Sequence, residues 1–226
     1  MKSRFSALSI SRLSIGLVLL CTIVTFQACK QEKVVKRTTT LYAYEVNAAA
    51  ESYSAGPLRY MEASYYENGQ IISKTYYNND QTVKGKEVYT HEDNDTLPES
   101  SIYYDGQGAT QATYKFTNKD NHQVQRDGYD GISGALLRQE RYQYDTAGNR
   151  VKKIIIDSEN IKQRTFLFGH DAFGNETQMT ILDYKDDEIA SEEYEIALVD
   201  DKNRWINRWG YTKGDKYPKT FYKQMY

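Results

Sequence analysis

The feature that most constrains this 226-residue chain is an internal repeat with a period near 27 residues. An asparagine in a polar turn recurs at intervals of 27, 28, 26 and 28 residues, at Asn94, Asn121, Asn149, Asn175 and Asn203. In the first three copies an aromatic residue stands five positions before the asparagine, whereas a histidine and a leucine stand there in the last two. Self-similarity at a fixed period is typical of repeat architectures, in which one small unit is stacked several times.

A second polar turn lies between each two successive asparagines, and a fifth follows Asn203. These second turns lie at residues 105–108, 130–134, 157–160, 185–188 and 213–216. Asn, Asp and Gly favour tight turns because they adopt positive φ at low cost. Between the turns, Tyr, Val, Ile, Thr and Phe alternate with polar residues, and this period-two pattern is typical of strands. The sequence therefore predicts that each repeat is a β-hairpin.

The hairpins predict an all-β domain, a long antiparallel β-meander of about a dozen strands. A twisted open sheet rarely exceeds about ten strands while it stays flat. We therefore expect a single-layer curled open sheet or a partial β-shell. All 21 tyrosines follow Cys29. Because a tyrosine ring covers neighbouring strands while its hydroxyl stays hydrated, such a sheet does not need a thick aliphatic core.

The first 28 residues have the pattern of a secretory signal peptide. Three basic residues precede an apolar segment at 15–26, and the small residue Ala28 comes directly before Cys29. This arrangement is typical of export signals, and a cysteine just after the cleavage site suggests lipidation. One alternative is a plain signal peptide that leaves Cys29 as a free thiol. Another is an uncleaved anchor, although this segment is shorter than the roughly 20 residues that span a bilayer.

The chain thus divides into a lipoprotein signal peptide (1–28), a tether (29–40) and a β-sheet domain (41–226). Cys21 lies within the signal peptide, so Cys29 is the only cysteine of the expected mature chain. A disulfide within that chain is then impossible. An unpaired cysteine in an exported protein is unusual, which favours lipidation of Cys29 with palmitate-type acyl chains.

Charge and sorting signals indicate where the mature chain resides. Removal of three basic residues with the signal peptide changes the formal net charge from −2 to −5. A mildly acidic chain without basic clusters argues against binding to nucleic acid. Lys30, rather than an aspartate, follows Cys29. By resemblance to known sorting preferences, this implies an anchor in the outer membrane, on its periplasmic or its surface face.

A resemblance to a known family is carried by residues 142–151, Tyr-Gln-Tyr-Asp-Thr-Ala-Gly-Asn-Arg-Val, which are similar to the YD repeat of rearrangement-hotspot (RHS) proteins. Residues 170–176 are a weaker copy, and Tyr65–Gln70 resembles the turn of MORN repeats. The residues before Cys29 are similar to the lipidation signals of Bacteroidetes lipoproteins. The resemblance extends as a pattern over residues 60–226 and implies a β-strand and turn architecture. Shared fold alone does not imply shared function.

Motifs for catalysis or metal binding are not apparent. The chain has no nucleophile elbow, no phosphate-binding loop and no candidate catalytic cysteine. His91, His122 and His170 occupy different positions within their repeats, so their spacing does not predict a shared metal site. We therefore expect a protein that is not an enzyme and that carries no cofactor and no metal.

The best candidate for ligand binding is an aromatic cluster near the C-terminus, Trp205, Trp209 and Tyr211. Rings along one strand could stack on sugar rings or accept a peptide. The alternative is structural, because the same rings would cap the apolar face of the last hairpin and exposed apolar patches are uncommon without a partner.

These patterns favour a non-catalytic, lipid-anchored envelope protein, a binding or structural module for a glycan, a cell-wall component or a protein. The alternative is an immunity or accessory protein of a toxin system, because YD and MORN-like repeats occur in such settings. A barrel inserted in the outer membrane is not favoured. Charged residues such as Arg138 and Glu140 share a strand face with Tyr142 and Tyr144, whereas a lipid-facing strand needs a nearly unbroken apolar face.

Overall fold

The computed structural model describes residues 35–47, 52–92, 95–215 and 218–226, and all their regular secondary structure is β-strand. The strands are β1 (Val35–Asn47), β2 (Ser52–Glu67), β3 (Gln70–Tyr77), β4 (Val83–Thr90), β5 (Ser100–Asp105), β6 (Thr110–Lys119), β7 (His122–Asp130), β8 (Leu136–Tyr144), β9 (Arg150–Asp157), β10 (Lys162–His170), β11 (Glu176–Leu182), β12 (Glu188–Val199), β13 (Trp205–Thr212) and β14 (Thr220–Met225).

The sheet is a closed antiparallel barrel. Each strand pairs with the next strand along the chain, and β14 pairs with β1. The closing ladder aligns residues 38–43 of β1 with residues 220–225 of β14. The chain is all-β, but the expectation of an open curled sheet or a partial shell is wrong. The physical reason is that the first and last strands satisfy each other's backbone hydrogen bonds, which an open sheet would leave exposed at its two edges.

The barrel has 14 strands, more than the dozen or so that the turn pattern predicts. The first strand begins at Val35, inside the segment 29–40 that the sequence assigns to a tether. This part of the chain contains no glycine or proline, and its three consecutive threonines, residues 38–40, are β-branched. Such residues favour strands because their side chains pack well on a pleated surface.

The two sets of predicted turns lie at opposite ends of the barrel. The asparagine turns connect β6 to β7, β8 to β9, β10 to β11 and β12 to β13; Asn94 lies outside the described residues. The second set connects β5 to β6, β7 to β8, β9 to β10, β11 to β12 and β13 to β14. One repeat is therefore one hairpin, as the period predicts.

Six of these turns share one hydrogen-bond pattern, which begins with an aspartate. Its Oδ1 atom accepts hydrogen bonds from the backbone N–H groups two and four residues later, at Asp105, Asp145, Asp157, Asp171, Asp183 and Asp200. The residue three positions after the aspartate, the fourth of the turn, has positive φ. It is Gly108, Gly148, Asn160, Gly174, Asp186 or Asn203. The local sequence therefore determines these turns, because few other residues adopt this backbone conformation.

Side chains along each strand alternate between the inside and the outside of the barrel. Arg126 of β7 contacts Glu87 of β4 across two intervening strands, which identifies the inner face. Residues in register with this pair share that face, and they include Glu62, Lys74, Tyr103, Tyr114, Glu140, Tyr142 and Lys153. The charges on β8 that argued against a membrane barrel in the sequence therefore point into the barrel.

The interior is filled by tyrosine rings and charged side chains more than by aliphatic ones. The buried hydrophobic residues of the described chain are Ala63, Ala112, Ile156 and Tyr194, whereas Glu87, Glu140 and Arg208 are also buried. Arg208 of β13 lies over the rings of Tyr194 and Tyr222, at 3.9 and 4.7 Å from their centroids. No helix in the described ranges is long and apolar enough to cross a bilayer.

Candidate functional site

A cavity of about 320 Å³ lies on the inner face of the barrel. Six strands contribute its lining, β3, β4, β6, β7, β8 and β9. The lining combines four cationic side chains, one carboxylate, four aromatic rings and one amide: Lys74, Arg126, Arg150, Lys153, Glu140, Tyr89, Phe116, Tyr142, Tyr144 and Gln123. Polar groups that converge among aromatic rings are typical of small-molecule sites.

Glu87 fixes one edge of this cavity by holding Arg126. Only 2% of Glu87 is exposed. Its carboxylate accepts hydrogen bonds from Arg126 Nη2 at 2.9 Å, from Tyr76 Oη at 3.0 Å and from the Ser101 hydroxyl. The Arg126 guanidinium also lies 3.7 Å from the centroid of the Tyr114 ring. Arg126 also lines a second cavity of about 200 Å³, so this arginine borders both spaces.

The Glu140 carboxylate is held by partners on its own strand and on neighbouring strands. It accepts a hydrogen bond from Tyr142 Oη at 2.6 Å and pairs with Arg138 at 3.0 Å. Burial acts to raise the pKa of Glu140, but the Tyr142 hydrogen bond and the charges of Arg126, Lys153 and Arg138 together hold that pKa below its ordinary value. Glu140 is therefore a stable anion at neutral pH.

A similar arrangement surrounds Glu62. Lys74 Nζ lies 3.2 Å from Glu62 Oε1, and Tyr60 Oη donates a hydrogen bond to Oε2 at 2.7 Å. Burial acts against the charge of Glu62, yet Lys74 and the hydrogen bonds from Tyr60 and Ser64 keep its pKa below the ordinary value. The same burial, with the adjacent carboxylate, raises the pKa of Tyr60, so the phenol stays protonated as a donor.

Arg150 and Lys153 have a different environment from the other cations of the cavity. Among the described residues neither makes an ion pair within 4.0 Å, and each instead lies above a phenylalanine ring. The Arg150 guanidinium is 4.6 Å from the Phe168 centroid, and Lys153 Nζ is 4.4 Å from the Phe166 centroid. Burial, which outweighs the attraction of Glu140, lowers the pKa of Lys153, and the charge of Arg150 lowers it further.

A register shift in the sheet brings these two cations to the same face. Residues on one face of a strand normally differ by an even number of positions, yet Arg150 and Lys153 both line the cavity. Lys153 pairs with Tyr142 of β8, whereas a shift after Gln143 pairs Tyr144 with Arg150. β-bulges re-aim side chains in this way. The irregularity is therefore what adds Arg150 to the cavity.

The three predicted ligand-binding residues each have a different neighbour in the structure. The centroid of the Trp205 ring lies 4.6 Å from the guanidinium carbon of Arg208. The Trp209 ring packs against Phe221 of β14 at 4.4 Å, on the outer face, because Arg208 and Gly210 on either side point inwards. Tyr211 Oη donates a hydrogen bond to Glu195 at 2.7 Å. Cys29, the predicted lipidation site, lies outside the described residues.

The sequence reasoning placed Glu140, Tyr142 and Tyr144 on one strand face but did not assign the residues that line the cavity to a binding site. Lysine and arginine in alternating strands look like a solvated face when the strand's partners are unknown. One signal was present, a tyrosine two positions from a glutamate on the same strand. The structure joins three such pairs by hydrogen bonds, Tyr60 with Glu62, Tyr142 with Glu140 and Tyr194 with Glu192. Recurrence of a donor and a carboxylate on one face indicates a buried polar network.

The histidines occupy separate places. His91 Nε2 donates a hydrogen bond to the Ile71 carbonyl oxygen at 2.8 Å, and the His122 ring stacks on Tyr144 at 4.4 Å. Within the described ranges, no group of three or more His, Cys, Asp or Glu side chains is arranged to hold a metal ion.

Comparisons with known proteins give weak likenesses of fold. No family model matches the chain, and no curated protein matches it. A porin-like protein from Bacteroides uniformis aligns with 84% of this chain and 95% of its own, at 8% identity and a TM-score of 0.37. A Photorhabdus luminescens Tc holotoxin pore aligns with 71% of this chain but 9% of its own, at 11% identity and a TM-score of 0.30. A LolA superfamily protein from Nitrosomonas europaea aligns with 87% of this chain and 86% of its own, at 6% identity and a TM-score of 0.26. Likenesses this weak assign neither a family nor a function, and the resemblance to RHS repeats stays a prediction.

Proposed function

We propose that this protein is a non-catalytic, lipid-anchored component of the cell envelope and a receptor for a small glycan or cell-wall ligand. The ligand occupies the cavity on the inner face of the barrel. The anchor is an acylated Cys29, and the membrane is the outer membrane. This proposal narrows the sequence-based expectation of a glycan, cell-wall or protein partner, because a cavity admits a small molecule or one unit of a chain and not a folded protein.

The observation that carries the proposal is the cavity itself. Its volume of about 320 Å³ falls at the lower end of the range of small-molecule sites, roughly 300 to 1,000 Å³. Solvent reaches its lining, because Lys74 and Arg126 keep 29% and 21% of their side-chain surface exposed. A small solute can therefore approach the same groups.

The state of the interior carboxylates supports a binding role over a catalytic one. A general acid or base works best when its pKa lies near the operating pH. Glu62 and Glu140 have pKa values below their ordinary range, because cations and phenol donors outweigh the effect of burial. Both are already engaged by these partners, which suits a rigid, pre-organised lining.

The anchor is tested by replacing Cys29. We expect the wild-type chain to incorporate labelled palmitate and to fractionate with membranes, and Cys29→Ser to lose both properties. Cys21→Ser is the matched control, because that cysteine lies within the predicted signal peptide and should leave labelling intact. Labelling of the Cys29→Ser chain at the wild-type level would contradict the anchor.

The binding role is tested with the full-length chain on a glycan array and in capture from envelope extract. We expect retention of a glycan or cell-wall fragment that soluble competitor displaces. Capture of one protein, with no glycan retained, would contradict this proposal and favour the alternative of an immunity or accessory protein of a toxin system.

A further inference from the structure

The charges around the cavity do not balance. Lys74 pairs with Glu62, Arg126 pairs with Glu87, and Glu140 pairs with Arg138. These three pairs account for every carboxylate that lines the cavity or touches its cations within 4.0 Å among the described residues. Arg150 and Lys153 remain, two positive charges with no carboxylate of the described residues within 4.0 Å.

Unpaired cations inside a protein are costly, because the interior screens and solvates charge less well than water. The lowered pKa of Lys153 reflects this cost, since burial and the charge of Arg150 both disfavour its protonated form. A bound anion would instead favour the protonated form of Lys153. An ionisable group with a perturbed pKa in a cleft is a candidate member of a functional site, and here the cavity and the positions of the two cations over phenylalanine rings accompany that perturbation.

The donors of Arg150 and Lys153 are available to such an anion. In the described part of the chain, the two side chains contact phenylalanine rings and make no hydrogen bond to protein acceptors. A ring face attracts the cation but accepts none of its N–H groups in the manner of an oxygen. Arginine presents a planar array of donors that matches carboxylate and phosphate oxygens, and lysine adds a point charge.

The remaining lining suits a ring more than a bare ion. The side chains of Tyr89 and Phe116 are stacked, with centroids 6.2 Å apart and planes at 22°, and both line the cavity. Gln123 also lines the cavity, and its side-chain amide can hydrogen-bond to sugar hydroxyls. An inorganic anion would leave these aromatic and amide groups without contacts.

We propose that the cavity selects an anionic sugar, whose carboxylate or phosphate oxygens bind between Arg150 and Lys153 while its ring lies against the aromatic lining. This inference rests on the proposed function, which requires only that the cavity binds a small envelope ligand. Carboxylate and phosphate both present negatively charged oxygen atoms to the two cations, and the experiment below distinguishes them.

The test is calorimetric titration of the full-length chain in detergent with five probes. Glucuronate and glucose 6-phosphate are the anionic sugars, glucose is the neutral sugar, and acetate and inorganic phosphate are anions without a ring. We expect at least one anionic sugar to bind, and to bind about tenfold or more tightly than glucose and than the matching bare anion. Such a ratio corresponds to about 1.4 kcal/mol, the order of one charge-assisted contact.

Variants of β9 assign the effect to the two cations. Arg150→Gln and Lys153→Gln should each weaken binding of the anionic sugar about tenfold or more, and Lys153→Arg should retain it. Lys152→Gln is the matched control, because Lys152 precedes Lys153 on the opposite face of the same strand. Unchanged circular dichroism spectra establish that the variants fold.

A pH series gives a second readout. The charged or titratable groups that act on Lys153 are Glu140, Arg150, Arg138 and Arg126. As pH rises through the lowered pKa of Lys153, the ammonium loses its proton and affinity for the anion should fall. Lys153→Arg should abolish this fall, because a guanidinium stays charged.

Three results would overturn the inference. Equal binding of glucose and the anionic sugars would leave the proposed function intact but remove the role of charge. Equal binding of a bare anion would remove the role of the ring. If none of the five probes binds but a neutral envelope glycan is captured in the experiment above, the preference for an anionic sugar is wrong while the proposed function stands.

Discussion

Glu87 shows how a single residue organises the barrel interior. It lies on β4 yet holds Arg126 of β7, and its other partners come from β3 and β5. One carboxylate thus joins four strands. Such a group stabilises the fold only while its partners are present, because removing one member of a buried pair leaves the other charge uncompensated.

We therefore predict that Glu87→Ala lowers the free energy of unfolding by about 3 kcal/mol, measured by urea denaturation. Glu188→Ala, at an exposed position on β12, should change it by less than about 0.5 kcal/mol. The double variant Glu87→Ala with Arg126→Met should recover part of the loss, because it removes the charge that Glu87→Ala alone leaves without its partner. Equal effects of Glu87→Ala and Glu188→Ala would contradict this account.

The interior carboxylates also predict how stability depends on pH. The pKa values of Glu62 and Glu140 are lower in the folded protein than the ordinary value, because cations and phenol donors overcome the opposing effect of burial. Their contribution is thus fully present above the ordinary glutamate pKa. It is lost as pH falls through the lowered folded values, because the unfolded chain then binds more protons.

The urea concentration at the midpoint of unfolding should therefore decrease as the pH is lowered from 7 to the acid limit of folding. The slope should be shallower in Glu140→Gln, which removes one of the interior carboxylates whose pKa is lower in the folded protein. An acid slope that is unchanged in this variant would show that other groups control the loss of stability.

At the scale of elements, the aspartate turns explain why the repeat is visible in the sequence. The fourth turn residue has positive φ, for example 87° at Gly148 and 63° at Asn160. A Cβ atom built on Gly148 would meet the His122 ring at 3.3 Å. Both the backbone conformation and the neighbouring ring therefore restrict the residue at this position.

Gly148→Ala should lower the free energy of unfolding by about 1 kcal/mol, because an alanine in the left-handed region is strained. Gly148→Asn should cost less in backbone energy, since asparagine occupies the same place in the turns at 157–161 and 200–204. Thermal denaturation of the two variants provides the comparison. A larger loss for asparagine than for alanine would identify crowding by His122, and not φ, as the main constraint.

The elements that local chemistry determines were predictable, and those that depend on distant pairing were not. Turns require only a few adjacent residues, so Asn149 and Asn175 marked turns correctly. The sequence does not reveal the bulge beside Tyr144. Without that bulge, the alternation along the strand would assign Arg150 to the outer face of the barrel. The partner of Glu87 is 39 residues away, and nothing in either segment alone specifies it. Sequence reasoning therefore recovered the hairpins but missed the cavity.

At the scale of the whole molecule, closure depends on the pairing of the two ends of the described chain. The ladder between β1 and β14 joins residues near 40 with residues near 223, so no local pattern indicates it. On the outer face, Phe221 of β14 packs between Tyr42 of β1 and Trp209 of β13, with ring centroids 6.0 and 4.4 Å apart. The aromatic residues of the last hairpin therefore contribute to the seam of the barrel.

The closing ladder can be tested by a disulfide across it. Thr40 of β1 is in register with Lys223 of β14, and Cβ atoms of directly opposed antiparallel residues are about 4.5 to 5.5 Å apart. Small adjustments bring such a pair within disulfide range. The double variant Thr40→Cys with Lys223→Cys should therefore form an intramolecular disulfide on mild oxidation, and the bond should raise the melting temperature because it constrains a long loop of the unfolded chain.

The matched control joins Thr40→Cys with Gln143→Cys of β8, a strand that does not pair with β1. Peptide mapping by mass spectrometry distinguishes the designed bond from bonds to Cys21 or Cys29. In a closed barrel only the first variant oxidises efficiently within one molecule. In an open sheet the first and last strands would be far apart, so both variants would remain reduced or would form dimers, and that result would contradict the closure of the barrel.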